Sequence, residues 1–246
     1  MTSLFEFIIT NFPTWRELFL HGPAMLLWAF AALTLAAWLK RKHNLRTGYT
    51  RKIFHFAIFF TVAALQATAG MRAVCLFGAM TSLVIAFAIV RGDGAFHYEA
   101  IAREKDAPYR THYIIVPYIA TLLGGLASSI LFGPAALLGF LVTGVGDAIG
   151  EPVGTRFGKH PYRVPSMRGV VCTRTLEGSS AVFVVSTVAA LIAAYALHGM
   201  ASPVAYGIGL AFLIGALSAL CEAVSPHGWD NFTLQFVPAA VAYALM

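Results

Sequence analysis

RAVCLFGAMTSLVIAFAIV, residues 72–90, carries one charge in nineteen positions, the arginine at its start. About 20 apolar residues in a helix cross a hydrocarbon core roughly 30 Å thick, so this run reads as a transmembrane span. Further runs of the same kind occupy 22–40, 53–70, 112–132, 134–150, 179–198 and 203–221, with a shorter one at 232–246. The chain is 59% hydrophobic and 11% charged, whereas soluble domains carry about 25% charged residues. The expected fold is all-α: a polytopic integral membrane protein with seven or eight spans, forming one membrane domain over residues 1–246.

Residues 1–21 lack a basic start, and Glu6 interrupts their apolar stretch, so they do not read as a cleavable signal. Their aromatics, acids and arginine suit an interfacial leader helix. Cys75, Cys172 and Cys221 are far apart in the sequence, a spacing that argues against a structural zinc site or a disulfide framework.

Basic residues set orientation, because cytoplasmic loops are enriched in Lys and Arg. All of the 17 except Arg16 and Arg72 fall in 40–52, 91–111 and 151–178. These stretches lie on one side if every run spans. Both termini are then expected outside the cytoplasm, in a bacterial inner membrane. The net charge of +6 follows from this orientation and from contact with anionic headgroups. Basic residues interleaved with aromatics on an accessible surface, as nucleic-acid binding requires, are not evident.

Four polar features gather at the cytoplasmic ends of the spans. In TRKIFHF, 50–56, Arg51 and His55 share a helix face. Arg51 and Lys52 alone would be ordinary interfacial anchors, but an ionisable His55 within a span points to a cavity or polar partner. In GVGDAIGEPVGTRFGKH, 144–160, glycine recurs at Gly146, Gly150, Gly154 and Gly158. Such spacing suits close helix packing but leaves Asp147 and Glu151 unexplained. Pro152 disfavours helical geometry at Glu151, so a helix break is expected there. Carboxylates at a break, with Arg156 and Lys159 beyond, suit a Mg²⁺-bound polyphosphate. The stretch is not a Walker A loop, which needs Lys-Ser/Thr after its second glycine.

The third feature is CTRTLEGSSAVF, 172–183. Here Gly178, Ser179 and Ser180 would cap a helix with Glu177 at its N-terminal end; the functional alternative makes Glu177 a site carboxylate and Arg174 a phosphate ligand. In the fourth, CEAVSPHGWDNFTLQFVP, 221–238, Glu222 and Asp230 flank a loop without Lys or Arg. They need partners elsewhere, a metal or the basic loops. The acids and His97 of 91–111 read mostly as a solvated loop surface.

RKIFH at 51–55, GDAIGEPVGTRFGKH at 146–160, TRTLEGS at 173–179 and DNFT at 230–233 resemble, in the same order, the motif series of the dolichol kinase/phytol kinase family, in its bacterial form. These are CTP-dependent polyprenol and isoprenoid-alcohol kinases, grouped with phosphatidate cytidylyltransferase-like proteins. The resemblance implies a multi-helix membrane fold, Mg²⁺, CTP as phosphoryl donor and a long-chain lipid alcohol as acceptor. By motif, Asp147, Gly154 to Lys159, Glu177-Gly178, Asp230-Asn231, and Arg51, Lys52 and His55 match the family's elements. Together with the polar residues read above, the expected catalytic residues are Asp147, Glu151 and Glu177, the expected metal ligands Asp147, Asp230 and Glu222, and the expected nucleotide contacts Arg51, Lys52, His55, Gly154, Arg156, Gly158, Lys159, Arg174 and Asn231. The chain departs from the family in Ile149-Gly150-Glu151-Pro152 after the GD pair, and in Gln235-Phe236 before Pro238.

Two other readings compete. A cytidylyltransferase would use the same site to make a CDP-lipid from CTP and a lipid phosphate, but the K-D…P-G-H-G-G…D-R…D signature is not seen. A transporter would place its charges at the midplane, and here they cluster at one face. Membrane lipids are partners in each case, and assembly into oligomers is left open.

Overall fold

The computed structural model describes residues 4–167, 170–198 and 204–245, without side chains for 195–198 and 204–206. The chain is an all-α polytopic membrane protein with one small hairpin. Among the described residues, five stretches are long and apolar enough to cross a membrane: Trp15–His43, Met71–Arg91, His112–Phe157, Leu176–Ala194 and Gly207–Val224. The third has 46 residues. At ~1.5 Å per residue its length is about twice a hydrocarbon core, so it supplies two of the expected runs. They part at a 3-10 turn, Gly133–Ala135, where Gly133 takes φ 54°, a left-handed conformation that glycine adopts without steric cost. The runs at 53–70 and 232–246 fall mostly within the helices Thr47–Thr68 and Asp230–Leu245, outside that set of five.

The chain packs as two compact units, Met1–Ile115 and Val116–Met246. In the first, the expected leader divides. Leu4–Asn11 (α1) is separate, while the first long helix, Trp15–His43 (α2), already begins at Trp15. Its start is fixed by a capping box: Thr14 Oγ1 accepts the Glu17 N–H at 3.2 Å, and Glu17 Oε2 accepts the Thr14 N–H at 2.8 Å. Such a pair satisfies two donors that a helix start otherwise leaves open. Helices Thr47–Thr68 (α3) and Met71–Arg91 (α4) complete a bundle with α2 around Leu33, Phe54, Phe59, Phe77 and Val84.

The 91–111 segment, expected as a solvated surface, is instead tied down around a short helix, Phe96–Ile101 (α5). Arg110 binds Asp93, Glu99 Oε2 at 2.8 Å and the Ala102 carbonyl at 2.7 Å. Lys40 reaches both Glu104 and Thr47, and Arg103 and Asp106 form a buried pair at 2.8 Å. Hydrogen bonds from Arg110 hold the Glu99 carboxyl below the usual range. A planar guanidinium with several donors can join separate turns in this way, a tertiary effect with no signature in local spacing.

The second unit contains the helix His112–Phe132 (α6) from Val116 onward, and helices Ala136–Val142 (α7), Ala148–Phe157 (α8), Leu176–His198 (α9), Val204–Val224 (α10) and Asp230–Leu245 (α11). Between α8 and α9 lies an antiparallel hairpin, Pro161–Val164 (β1) and Cys172–Thr175 (β2), which pairs Tyr162 with Arg174. Leu138, Val142, Ala190, Ala193, Ile214 and Leu234 form the core. The expected break at Pro152 is not there: α8 runs through it. The irregularity lies one turn earlier, in a π-turn over Thr143–Asp147. A proline ring crowds the carbonyl four residues back, here Ala148, the first residue of α8, so the widened turn before it absorbs the disturbance.

Candidate functional site

Glycines bring α8 against α9. A Cβ on Gly178 would lie 2.8 Å from the Gly150 carbonyl, one on Gly150 2.9 Å from Val182 Cγ2, and one on Gly154 2.8 Å from Thr175 Oγ1. Real Cβ atoms do not approach so closely, so the two backbones meet only where side chains are absent. This packing accounts for Gly154, and for Gly158, whose Cβ would strike the Gly154 carbonyl and Thr175. Asp147, at the end of the π-turn, is carried buried into the same region.

The hairpin then delivers Arg174. Its Nε donates to Glu222 Oε1 at 2.8 Å and its Nη2 to Asp230 Oδ2 at 2.7 Å, with all three side chains no more than 13% exposed. One guanidinium therefore joins β2, the end of α10 and the start of α11. The two acids that had no local cation find one in a basic loop. Burial works against the charge of Arg174, but Asp230, Glu222 and Asp147 outweigh it and raise its pKa. Arg174 Nη1 is buried and has no hydrogen-bond partner among the described residues.

A second line of hydrogen bonds reaches Glu222 from the hairpin. Ser179 Oγ donates to Glu222 Oε2 at 3.0 Å, and Tyr162 Oη lies 2.6 Å from Ser179 Oγ. A hydroxyl has one proton to give. Since Ser179 gives its own to Glu222, Tyr162 is the donor to Ser179. Burial pushes the Tyr162 phenol up, which keeps that proton in place. The loop after α10 is pinned to the hairpin as well, by the His227 N–H on the Pro165 carbonyl at 2.8 Å.

Other expected site residues have different partners. Glu177 accepts from His160, ring Nδ1 at 2.6 Å and backbone N–H at 3.3 Å, on an exposed edge. The cap of α9 is not Ser179 or Ser180: Thr175 Oγ1 accepts the Gly178 N–H at 3.1 Å. Ser179 is thereby free for Glu222. Asn231 spends its amide donors on Thr121 Oγ1, at 2.8 Å, and the Pro117 carbonyl, at 3.3 Å, fastening α11 to α6. Its Oδ1 is buried without a partner among the described residues. Glu151 is half-buried on α8; Arg156 and Lys159 are exposed, with Arg156 over the Phe157 ring. Arg51, Lys52 and His55 belong to α3 of the first unit, where Lys52 is buried and His55 packs on Phe59 at 4.4 Å.

The site thus gathers Arg174, Glu222, Asp230 and Asp147, and adds Ser179, which the sequence offered only as a helix cap, and Tyr162, which it did not single out. Their signal was a hairpin register that pairs Tyr162 with Arg174, and no local motif marks it. Glu222 and Asp230 share one arginine, so this buried trio carries one more negative than positive charge. Excess carboxylate thus stands beside an unsatisfied guanidinium donor. Comparison with family models, with curated proteins and with solved structures finds no match to this chain.

Proposed function

We propose that the protein is a lipid kinase. On this reading it transfers the terminal phosphoryl group of a nucleoside triphosphate, CTP by the motif resemblance, to a long-chain isoprenoid or related lipid alcohol. The observation that carries the reading is Arg174: a buried guanidinium fixed by two carboxylates, with Nη1 left to donate. Phosphoryl transfer asks a protein for alignment and charge neutralisation more than for covalent chemistry, and this residue is built for both.

Asp147, with Glu222 or Asp230, would hold Mg²⁺, which when bound offsets the charge of the triphosphate. Arg174 Nη1 donates to a phosphate oxygen, while Glu222 and Asp230 prevent the guanidinium from turning. Tyr162 and Ser179 hold the Glu222 carboxylate in the orientation that grips Arg174. Glu222 and Asp230 each give one oxygen to Arg174 and one of them would also hold Mg²⁺, so the alcohol proton goes to Asp147 or Glu151. The apolar helices around the site admit a lipid whose hydroxyl rests at headgroup depth. The concentration of Lys and Arg in three loops supports a cytoplasmic position for this chemistry, in a bacterial inner membrane.

The test is incubation of purified protein with Mg²⁺, each nucleoside triphosphate, and phytol, farnesol, polyprenol or diacylglycerol. Nucleoside diphosphate plus lipid phosphate is expected, with CTP the best donor. Pyrophosphate plus a CDP-lipid, formed from a lipid phosphate, would replace the kinase by a cytidylyltransferase. Turnover unchanged in Arg174→Gln would remove the role given to Arg174.

A further inference from the structure

The first unit carries an open groove of about 500 Å³ between α2 and α4, lined by Leu26, Leu27, Phe30, Leu83, Val84 and Phe87. This volume falls within the ~300–1,000 Å³ of small-molecule sites. Both helices are long and apolar enough to cross a membrane, so the groove lies at membrane depth. They run in the same direction: Gly22 faces Met80, and further along Phe30 meets Phe87, ring centroids 5.7 Å apart.

Each helix contributes one stripe at four-residue spacing, and both stripes change character at the same end. On α2 the order is Leu26, Phe30, Thr34; on α4 it is Leu83, Phe87, Arg91. Residues four apart stack on one helix face, so Thr34 and Arg91 stand one turn beyond the two phenylalanines. His97 closes that end. Its ring lies 4.9 Å from Phe30 and 5.6 Å from Phe87, and its Nε2 is 3.0 Å from Thr34 Oγ1. Burial and the charge of Arg91 hold His97 below its usual pKa, so at neutral pH the positive group at this end is Arg91. Arg91 forms no ion pair among the described residues. Lys40, Arg41 and Lys42 continue α2 toward the same side.

We infer that this groove binds an anionic phospholipid of the surrounding membrane, with an acyl chain along Leu26–Phe30 and Leu83–Phe87 and the phosphate on Arg91. The charge selects the headgroup, and the shared direction of the stripes selects an amphiphile over a purely apolar guest. The inference is independent of the kinase reading, because none of its residues is given a role in phosphoryl transfer.

Native mass spectrometry of the full chain, exchanged into equimolar phosphatidylglycerol and phosphatidylcholine, tests it. One arginine near a membrane surface is worth about fivefold in favour of an anionic lipid, and retained phosphatidylglycerol should exceed phosphatidylcholine by about that factor. Arg91→Gln should abolish the preference while keeping one lipid bound. Leu27→Trp/Leu83→Trp fills the groove from exposed positions and should lose the bound lipid altogether. A preference unaltered in Arg91→Gln, a lipid retained in the tryptophan variant, or stronger retention of a neutral long-chain alcohol would each overturn the assignment.

Discussion

Arg174 Nε and Glu222 Oε1 lie 2.8 Å apart, joining a short strand to the end of a transmembrane helix. The contact is almost dry, since the two side chains are 11% and 10% exposed. A charge so little exposed needs an opposite charge beside it. Asp230, 2.7 Å from the same guanidinium, makes the arginine the link among three elements.

Arg174→Met should therefore destabilise the protein by about 3–5 kcal/mol, the usual cost of breaking a buried ion pair from one side. Combining it with Glu222→Gln and Asp230→Asn should recover most of that loss, because no unanswered charge would remain. Thermal melts in one detergent give both numbers. In turnover, Arg174→Gln should cost about 10²–10³-fold, the typical loss when a preorganised donor to developing charge is removed.

Asp147→Asn tests the same site through its other acid. Product formation should fall to background, with a melting temperature within a few degrees of the parent. Retained turnover in the well-folded variant would exclude Asp147 from the chemistry.

Ser179→Ala and Tyr162→Phe separate the relay from the pair it supports. Ser179→Ala leaves a buried Glu222 oxygen without its donor and should cost about 1–3 kcal/mol. Tyr162→Phe leaves the Ser179–Glu222 bond in place and should cost less. No loss in Tyr162→Phe would mean that Tyr162 acts through packing alone, and a loss equal to that of Ser179→Ala would mean that its hydroxyl is needed to hold the Ser179–Glu222 bond.

Glycine substitutions probe the α8–α9 contact. Gly178→Ala drives a methyl group into the Gly150 carbonyl at 2.8 Å and should destabilise by about 1–3 kcal/mol, as overpacking does. Gly209→Ala, in α10, meets nothing within 4 Å and should be neutral or gain up to ~1 kcal/mol of helix propensity. Comparing the two melts removes any general effect of glycine replacement.

The 91–111 segment should respond to acid. Glu99 has a lowered pKa in the folded chain, so its contribution is fully present above the ordinary glutamate value of about 4.3. It is lost as pH falls through the lower, folded value. Hydrogen exchange across 93–111 should show protection holding to below the ordinary glutamate value. Arg110→Gln should move its loss upward toward the ordinary value, and an unmoved midpoint would break the linkage.

The sequence made the membrane-spanning runs legible because span length and apolar content are local quantities. It also required a distant partner for Glu222 and Asp230, since their loop has no cation. Arg174 was named, but which of the loop's basic residues would meet those acids depended on a register pairing Tyr162 with Arg174, and short strands of mixed residues carry little signal. Pro152 misled for a physical reason. Proline marks a lost hydrogen bond but not where the helix absorbs it, and a π-turn has no residue of its own. The ion pairs of 91–111 join turns far apart in sequence, which periodicity does not report.

The widened turn at Thr143–Asp147 also acts as a gearing element. One residue added to a helical turn rotates everything after it by about 100°. Before the turn, α7 packs on α11 and α9 with its bulky face of Leu138 and Val142; after it, α8 turns a glycine edge to α9 and β2. Deleting one residue from the turn would leave composition and span length nearly unchanged while swinging Asp147 and the glycine edge out of phase. The pitch of that single turn thus sets the clocking of the acid relative to the hairpin.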